Sequence, residues 1–285
     1  MTTMQDLATP VVNTWCPGCG NFGLLMAVKR AIIQLGLNRE EVVAVAGIGC
    51  HGKVIDYIKT NGLHVIHGRV LPAATAVKIA NPELTVLGFA GDGDAYNIGI
   101  GHLPHAARRN IDLTYIVHDN LVYGLTTGQT SPTSKRGYRS KTTPRGSFEF
   151  GVNPLTQALS ADASFVARGY AGDMHHLTEI FKQAIAHEGF ALVDVLQPCV
   201  AWNRVNTYDF YKERVYKLEE EGHDPSDLDE AYRRAGEWGD RIPIGVLYMA
   251  EREEYTNSFP TLAEGPLVKQ SIEGIDISKL LREFH

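Results

Sequence analysis

Four cysteines, Cys16, Cys19, Cys50 and Cys199, are the only thiols in the chain, and their placement suits a shared metal site. Cys16 and Cys19 lie in the run Trp15-Cys16-Pro17-Gly18-Cys19-Gly20. Cys50 and Cys199 each close an apolar, strand-like run, residues 42–50 and 191–199. Ligands of open α/β sheets gather beyond the carboxyl ends of the strands, so two distant cysteines at strand ends can converge on the Cys-x-x-Cys loop. A complete set of four thiolates suits one zinc ion or one iron–sulfur cluster. Buried, unligated thiols at 50 and 199 are the plainer alternative. The residue types alone leave these readings open.

A second constellation points to phosphate and magnesium. Residues 84–90 form an apolar run that enters Gly91-Asp92-Gly93-Asp94, and a helix-like segment follows. Glycines permit a tight turn there, and amides at the start of a helix meet an anion. A further strand-like run, 113–118, ends in Asp119-Asn120 and continues as Leu121-Val122-Tyr123-Gly124. Magnesium takes a few hard oxygen ligands and leaves its other positions to phosphate oxygens and water. The Asp92 carboxylate, the Asn120 amide oxygen and a carbonyl at Val122 would supply them. Gly-Asp-Gly alone is usually only a turn. The order strand, Gly-Asp-Gly, helix, strand, Asn makes it a candidate.

Positioning these groups requires alternating strands and helices, the pattern of a mostly parallel sheet flanked by helices. Strands are expected at 42–48, 65–66, 84–90, 113–118 and 191–196. Helices are expected at 21–35, 72–80, 98–109 and 175–187 from the spacing of their apolar residues. From about residue 203 the pattern changes: 208–221 reads as a charged helix and 223–240 as polar. The expected organisation is a cofactor-binding domain over 1–202 and a C-terminal extension over 203–285, packed on that domain or on a partner.

The 285 residues, 44% of them hydrophobic, can bury a substantial core. No run approaches the roughly 18 apolar residues of a membrane span, and the polar start is no signal peptide. The expected compartment is the cytoplasm, where a cysteine cluster reads as metal or redox rather than disulfide. A net charge of −6 argues against nucleic-acid binding.

The strand–Gly-Asp-Gly–helix–strand–Asn order is similar to that of thiamine-diphosphate enzymes, many of which end the motif in Asn-Asn where this chain has Asp119-Asn120. Five ordered motifs sharpen the resemblance: Trp15-Cys-Pro-Gly-Cys-Gly, Gly49-Cys50-His51-Gly52-Lys53, His67-Gly68-Arg69, Gly91-Asp92-Gly93-Asp94 and Tyr123-Gly124-Leu125-Thr126. Together they resemble the β subunit of 2-oxoacid:ferredoxin oxidoreductases of the two-subunit type, acting on 2-oxoglutarate or pyruvate. The resemblance covers about residue 10 to Cys199, and more loosely residues 241–248.

It implies a thiamine-diphosphate-binding fold of the diphosphate-domain kind, with a [4Fe–4S] cluster on Cys16, Cys19, Cys50 and Cys199. Gly91, Asp92, Gly93, Asp94, Asn120, Val122, Gly124, Leu125 and Thr126 would hold thiamine diphosphate, with Mg2+ on Asp92, Asn120 and Val122. His51 and Lys53, next to a cluster cysteine, are expected at the reaction centre, where a cation attracts a substrate carboxylate or a coenzyme A phosphate. His67 and Arg69 are expected to bind substrate or cofactor; a structural ion pair is the alternative for Arg69. Many members carry lysine where this chain has Thr127, so coenzyme contacts there are not carried over.

The implied reaction is oxidative decarboxylation of a 2-oxoacid to acyl-CoA and CO2, reversible, with electrons passing singly through the cluster to ferredoxin. Only the diphosphate half of a thiamine site is recognisable. An α subunit is therefore expected to bring the pyrimidine half, in an (αβ)2 assembly. The basic loop of Lys135, Arg136, Arg139, Lys141 and Arg145 is expected to meet ferredoxin or the coenzyme's phosphates; a merely solvated loop is the plainer alternative. The rivals are a non-oxidative thiamine-diphosphate lyase or transferase with structural zinc, and a non-catalytic subunit whose metal stabilises an assembly.

Overall fold

The computed structural model describes residues 2–284. In chain order its elements are α1 (Gly20–Gln34), β1 (Val42–Ala46), α2 (Val54–Tyr57), β2 (Asn61–His64), α3 (Val70–Ala80), β3 (Thr85–Gly91), α4 (Leu103–Arg109) and β4 (Leu113–Asp119). A short hairpin, β5 (Val122–Tyr123) and β6 (Gln129–Thr130), follows, then α5 (Pro154–Ser160), β7 (Phe165–Tyr170), α6 (Met174–Ala186) and β8 (Phe190–Leu196). The chain ends with α7 (Tyr208–Lys212), β9 (Val215–Lys217), α8 (Leu228–Gly236), β10 (Ile242–Met249) and α9 (Ser278–Arg282).

Val42-Val43-Ala44-Val45-Ala46 is buried at every position, as a strand covered on both faces must be. It lies inside an eight-stranded sheet of order β2-β1-β3-β4-β8-β7-β10-β9. Every neighbouring pair is parallel except β7 and β10. On one face α1 and α6 bury Leu24, Val28 and Ala31 against Leu177, Phe181 and Ala184. On the other, α3, α4, α5 and α8 bury Leu71, Leu103, Leu155 and Ala231. Strands β1, β3 and β4 therefore deliver their carboxyl ends side by side, and the loops beyond them form the site.

Several local expectations are corrected. The strand expected at 65–66 is β2, four residues earlier, an exposed edge held to β1 through its backbone. The helix expected from residue 98 begins at Leu103, after a π turn over Asp94–Ile98 and a 3-10 turn over Ile100–His102. The charged helix expected over 208–221 is the short α7, then β9, then a 3-10 turn. Polar residues 223–240 contain α8, whose first turn is capped by Asp227 accepting from the Glu230 amide. Strand β10, from this C-terminal part, joins the main sheet beside β7. Among the described residues no helix is long and apolar enough to cross a membrane.

Candidate active site

The four cysteines line one cavity of about 200 Å3, together with Trp15, Lys53, Gln197 and Trp202. The Cys16–Cys19 loop is a turn closed by the Cys19 amide on the Cys16 carbonyl, with Gly18 in the left-handed region that its missing Cβ allows. Trp15 Nε1 donates to the Cys50 carbonyl at 2.7 Å, tying this loop to the end of β1. The Gly20 amide donates to the Pro198 carbonyl at 3.2 Å, tying it to the segment after β8. A Cβ on Gly124 would stand 3.6 Å from Cys199 Sγ and 3.7 Å from Cys50 Sγ, so the two strand-end thiols flank this glycine.

Burial pushes the Cys19 thiol up to about 12, against one backbone hydrogen bond, and the charges of Cys199, Cys50 and Cys16 add to the rise. The four thiols line one space, and thiolates formed there would repel one another until a bound metal relieved it. Among the described residues no three His, Cys, Asp or Glu side chains converge on one ion-sized point. The thiols instead surround a space.

A second cavity of about 130 Å3 lies beside the first, lined by Gly91, Asp92, Gly93, Asp94, His51, His67, His118 and the 120–126 segment. Cys50, Asn120, Gly124 and Leu125 belong to both walls. Asp92 is buried at the end of β3, and its Oδ2 accepts from Ser131 Oγ at 2.5 Å and Thr133 Oγ1 at 2.7 Å. Oδ1 is the oxygen left to a ligand.

Thr133 Oγ1 also lies 2.8 Å from Asp119 Oδ1, yet a hydroxyl has a single proton to give. Burial, then the charges of Asp194 and Asp92, hold the Asp119 carboxyl well above its ordinary range. Burial raises the Asp92 carboxyl too, against its bonds from Ser131 and Thr133, so two buried acids that disfavour each other's charge share the one Thr133 hydroxyl. Beside Asp119, Asn120 Oδ1 accepts from the Val122 amide at 3.1 Å. The intervening Leu121 has φ of 59°, a strained conformation for leucine that aims the Asn120–Val122 turn at the cavity.

Asp94 does different work. Its Oδ1 accepts from the Gly68 amide at 2.6 Å and lies 2.5 Å from His67 Nδ1, and its Oδ2 is 3.3 Å from His51 Nε2. Burial would raise this carboxyl, but hydrogen bonding and charge from His51, the Gly68 amide and His67 outweigh it and hold it low. His51 is buried with its ring against Gly49 and Gly91. His67 is more exposed and lines the second cavity.

The remaining sequence candidates are divided. Thr126 lines the second cavity, its hydroxyl bonded to Gln129. Lys53 lines the thiol cavity alone and donates to Thr14 Oγ1. The Arg69 guanidinium donates to the Gly68 and Ile98 carbonyls and enters neither wall. In the basic loop, Lys135 sits over Phe210 and Trp238, Arg136 over Phe150 and Lys141 over Trp202.

The thiamine pyrophosphate enzyme C-terminal TPP binding domain matches residues 47–195, and the family for the C-terminal part of the pyruvate ferredoxin oxidoreductase β subunit matches 199–264. The β subunit of a 2-oxoacid:ferredoxin oxidoreductase from a Sulfolobus species is 46% identical over 282 residues, covering 93% of this chain and 92% of its own. The chain belongs to the β subunits of the 2-oxoacid:ferredoxin oxidoreductases. A second β subunit, from Aeropyrum pernix, is 47% identical over 251 residues, covering 85% of this chain and 79% of its own. A solved 2-oxoglutarate:ferredoxin oxidoreductase from Magnetococcus marinus, with 2-oxoglutarate, coenzyme A and succinyl-CoA bound, superposes with a TM-score of 0.90. It has 37% identity and covers 100% of this chain and 96% of that one. As a β subunit the chain works with an α subunit.

Sequence reasoning passed over Ser131, Thr133, His118, Asn21 and Gln197. The hydroxyl-rich run Thr130-Ser131-Pro132-Thr133-Ser134 was the available signal for the first two. His118 Nδ1 and Asn21 Oδ1 meet at 2.8 Å between the cavities, a contact spanning 97 residues of sequence that no local motif announces.

Proposed function

We propose that this β subunit holds thiamine diphosphate and Mg2+ in the cavity of Asp92 and a [4Fe–4S] cluster in the cavity of the four cysteines. The assembled enzyme oxidatively decarboxylates 2-oxoglutarate or pyruvate with coenzyme A, reducing ferredoxin. The observation that carries the reading is the wall common to both cavities, formed by Cys50, Asn120, Gly124 and Leu125. An electron donor and an acceptor either side of one wall are near enough for direct transfer.

The residues fit both groups. Four thiols around one space suit a cluster, which needs more room than one tetrahedral zinc with Zn–S of about 2.3 Å. Asp92 Oδ1, Asn120 Oδ1 and the Val122 carbonyl are hard oxygens suited to Mg2+. When bound, thiamine diphosphate supplies the carbanion chemistry of decarboxylation and the cluster accepts electrons one at a time. The chain's own part is to fix the metal oxygens through Ser131 and Thr133 and to orient His67 through Asp94. Packing His51 behind the cavity completes it. Residues 1–202 form the cofactor-binding domain in this reading, 203–285 its extension, and the pyrimidine half comes from α in an (αβ)2 assembly.

Purified with its α subunit, the protein is expected to show broad visible absorbance that dithionite bleaches, and 2-oxoacid-dependent ferredoxin reduction. Zinc with no iron, and no ferredoxin reduction across a panel of 2-oxoacids, would refute the reading. The same panel decides between 2-oxoglutarate and pyruvate.

A further inference from the structure

Two side-chain amides link the common wall to a cysteine of the other cavity. Asn120 Nδ2 donates to Gln197 Oε1 at 3.1 Å, and Gln197 Nε2 donates to Cys19 Sγ at 3.5 Å. Backbone groups set both amide orientations: the Val122 amide donates to Asn120 Oδ1, and Gln197 Nε2 also donates to the Pro198 carbonyl at 2.8 Å. Gln197 is 1% exposed. A Cβ on Gly20 would stand 3.0 Å from its Cγ and Nε2, so the side chain is clamped between the start of α1 and the end of β8.

We propose that Gln197 is a positioning residue that couples occupancy of the metal–diphosphate site at Asn120 to the redox potential of the metal centre at Cys19. It rests on the function proposed above, in which Asn120 Oδ1 ligates Mg2+ and the four thiolates hold the cluster. A cation on Asn120 Oδ1 withdraws electron density from the amide and makes Nδ2 a stronger donor. Hydrogen-bonded chains in a low-dielectric interior polarise one another, so Gln197 Nε2 becomes a stronger donor to sulfur in turn. Hydrogen bonds to the sulfurs are among the determinants of cluster potential, and they favour the more negative, reduced state. Filling the diphosphate site therefore raises the potential of the acceptor once the donor's cofactor is in place. Binding linkage is reciprocal, so the reduced cluster must hold the cofactor more tightly than the oxidised one.

The test is a redox titration of the αβ enzyme followed by electron paramagnetic resonance, with and without Mg2+ and thiamine diphosphate. Wild type is expected to rise in potential on loading. Gln197→Leu and Gln197→Glu, which lack the N–H for sulfur, are expected to start lower. A three- to tenfold loss in relative stability of the reduced cluster is about 30–60 mV for one electron. Their rise on loading should be less than half that of wild type, and their cofactor affinity two- to tenfold weaker, about the worth of one hydrogen bond. Unchanged potentials and an unchanged loading shift in the variants overturn the coupling.

A measurement on wild type alone guards against variants that fail to assemble. Thiamine diphosphate must bind more tightly to the dithionite-reduced enzyme than to the oxidised one, and equal affinities overturn the coupling. Wild-type enzyme without iron overturns the proposed function itself, which separates the two failures.

Discussion

His67 Nδ1 lies 2.5 Å from Asp94 Oδ1, so the last acid of Gly-Asp-Gly-Asp orients a histidine on the cavity wall. Carboxylates that orient a functional histidine are typically worth about tenfold to a hundredfold in activity. Asp94→Ala should lower kcat by about that factor and leave the thiamine diphosphate dissociation constant within about threefold. Steady-state kinetics beside equilibrium cofactor binding separate the two roles. A collapse of cofactor affinity with kcat preserved would make Asp94 a direct cofactor ligand.

Thr133 Oγ1 bridges Asp92 Oδ2 and Asp119 Oδ1 and helps fix the Asp92 carboxyl at the cavity. Thr133→Val preserves shape and removes the hydroxyl, leaving buried carboxyl oxygens short of a partner at a cost of about 1–3 kcal/mol. Magnesium titration of cofactor binding should weaken by about tenfold or more. An unchanged magnesium dependence would show that Ser131 alone suffices.

Gly93 allows the Tyr123 ring to lie over the turn. An added Cβ would run into Tyr123 Cε1, so Gly93→Ala forces the ring away at an overpacking cost of about 1–3 kcal/mol. Cofactor affinity should fall, and Tyr123→Leu in the same chain should restore part of it. Additive losses in the double variant would move the cause away from this contact.

Burial raises the Asp194 carboxyl to about 6; Arg168 and the Tyr96 hydrogen bond oppose the rise, and the Asp92 charge adds to it. Between about pH 4, near the value for an unfolded aspartate, and about 6, the folded state binds more protons from this group. Its contribution to stability therefore falls as pH rises through that window and is level above it. Asp194→Asn should flatten this slope in urea unfolding midpoints taken from pH 4.5 to 7.5. Asp94, held low, acts oppositely: its stabilisation is present above about pH 4 and is lost below.

The parts of the molecule legible beforehand are those in which chemistry is written locally. Cys16 and Cys19 share a turn, and Asp92 follows its strand without a gap. Strand β7 escaped because Arg168 and Gly169 interrupt its apolar run, and β10 carries Pro243 and Gly245, both strand breakers in isolation. Edge strand β2 pairs only through its backbone and exposes all four side chains, so it has no hydrophobic pattern to read. Ser131, Thr133 and Gln197 were hidden for another reason: Ser131 and Thr133 reach Asp92 across 39 and 41 residues and Gln197 reaches Cys19 across 178, contacts that only folding creates.

A wall held in common also limits how such an enzyme diversifies. Any substitution at Gly124 or Leu125 that reshapes the room beside Asp92 also reshapes the room around the thiols. Selection for a new substrate would meet an electrical penalty there. The freer ground for changing substrate preference lies off this wall, on residues that face only one cavity or on the surface contributed by the other subunit.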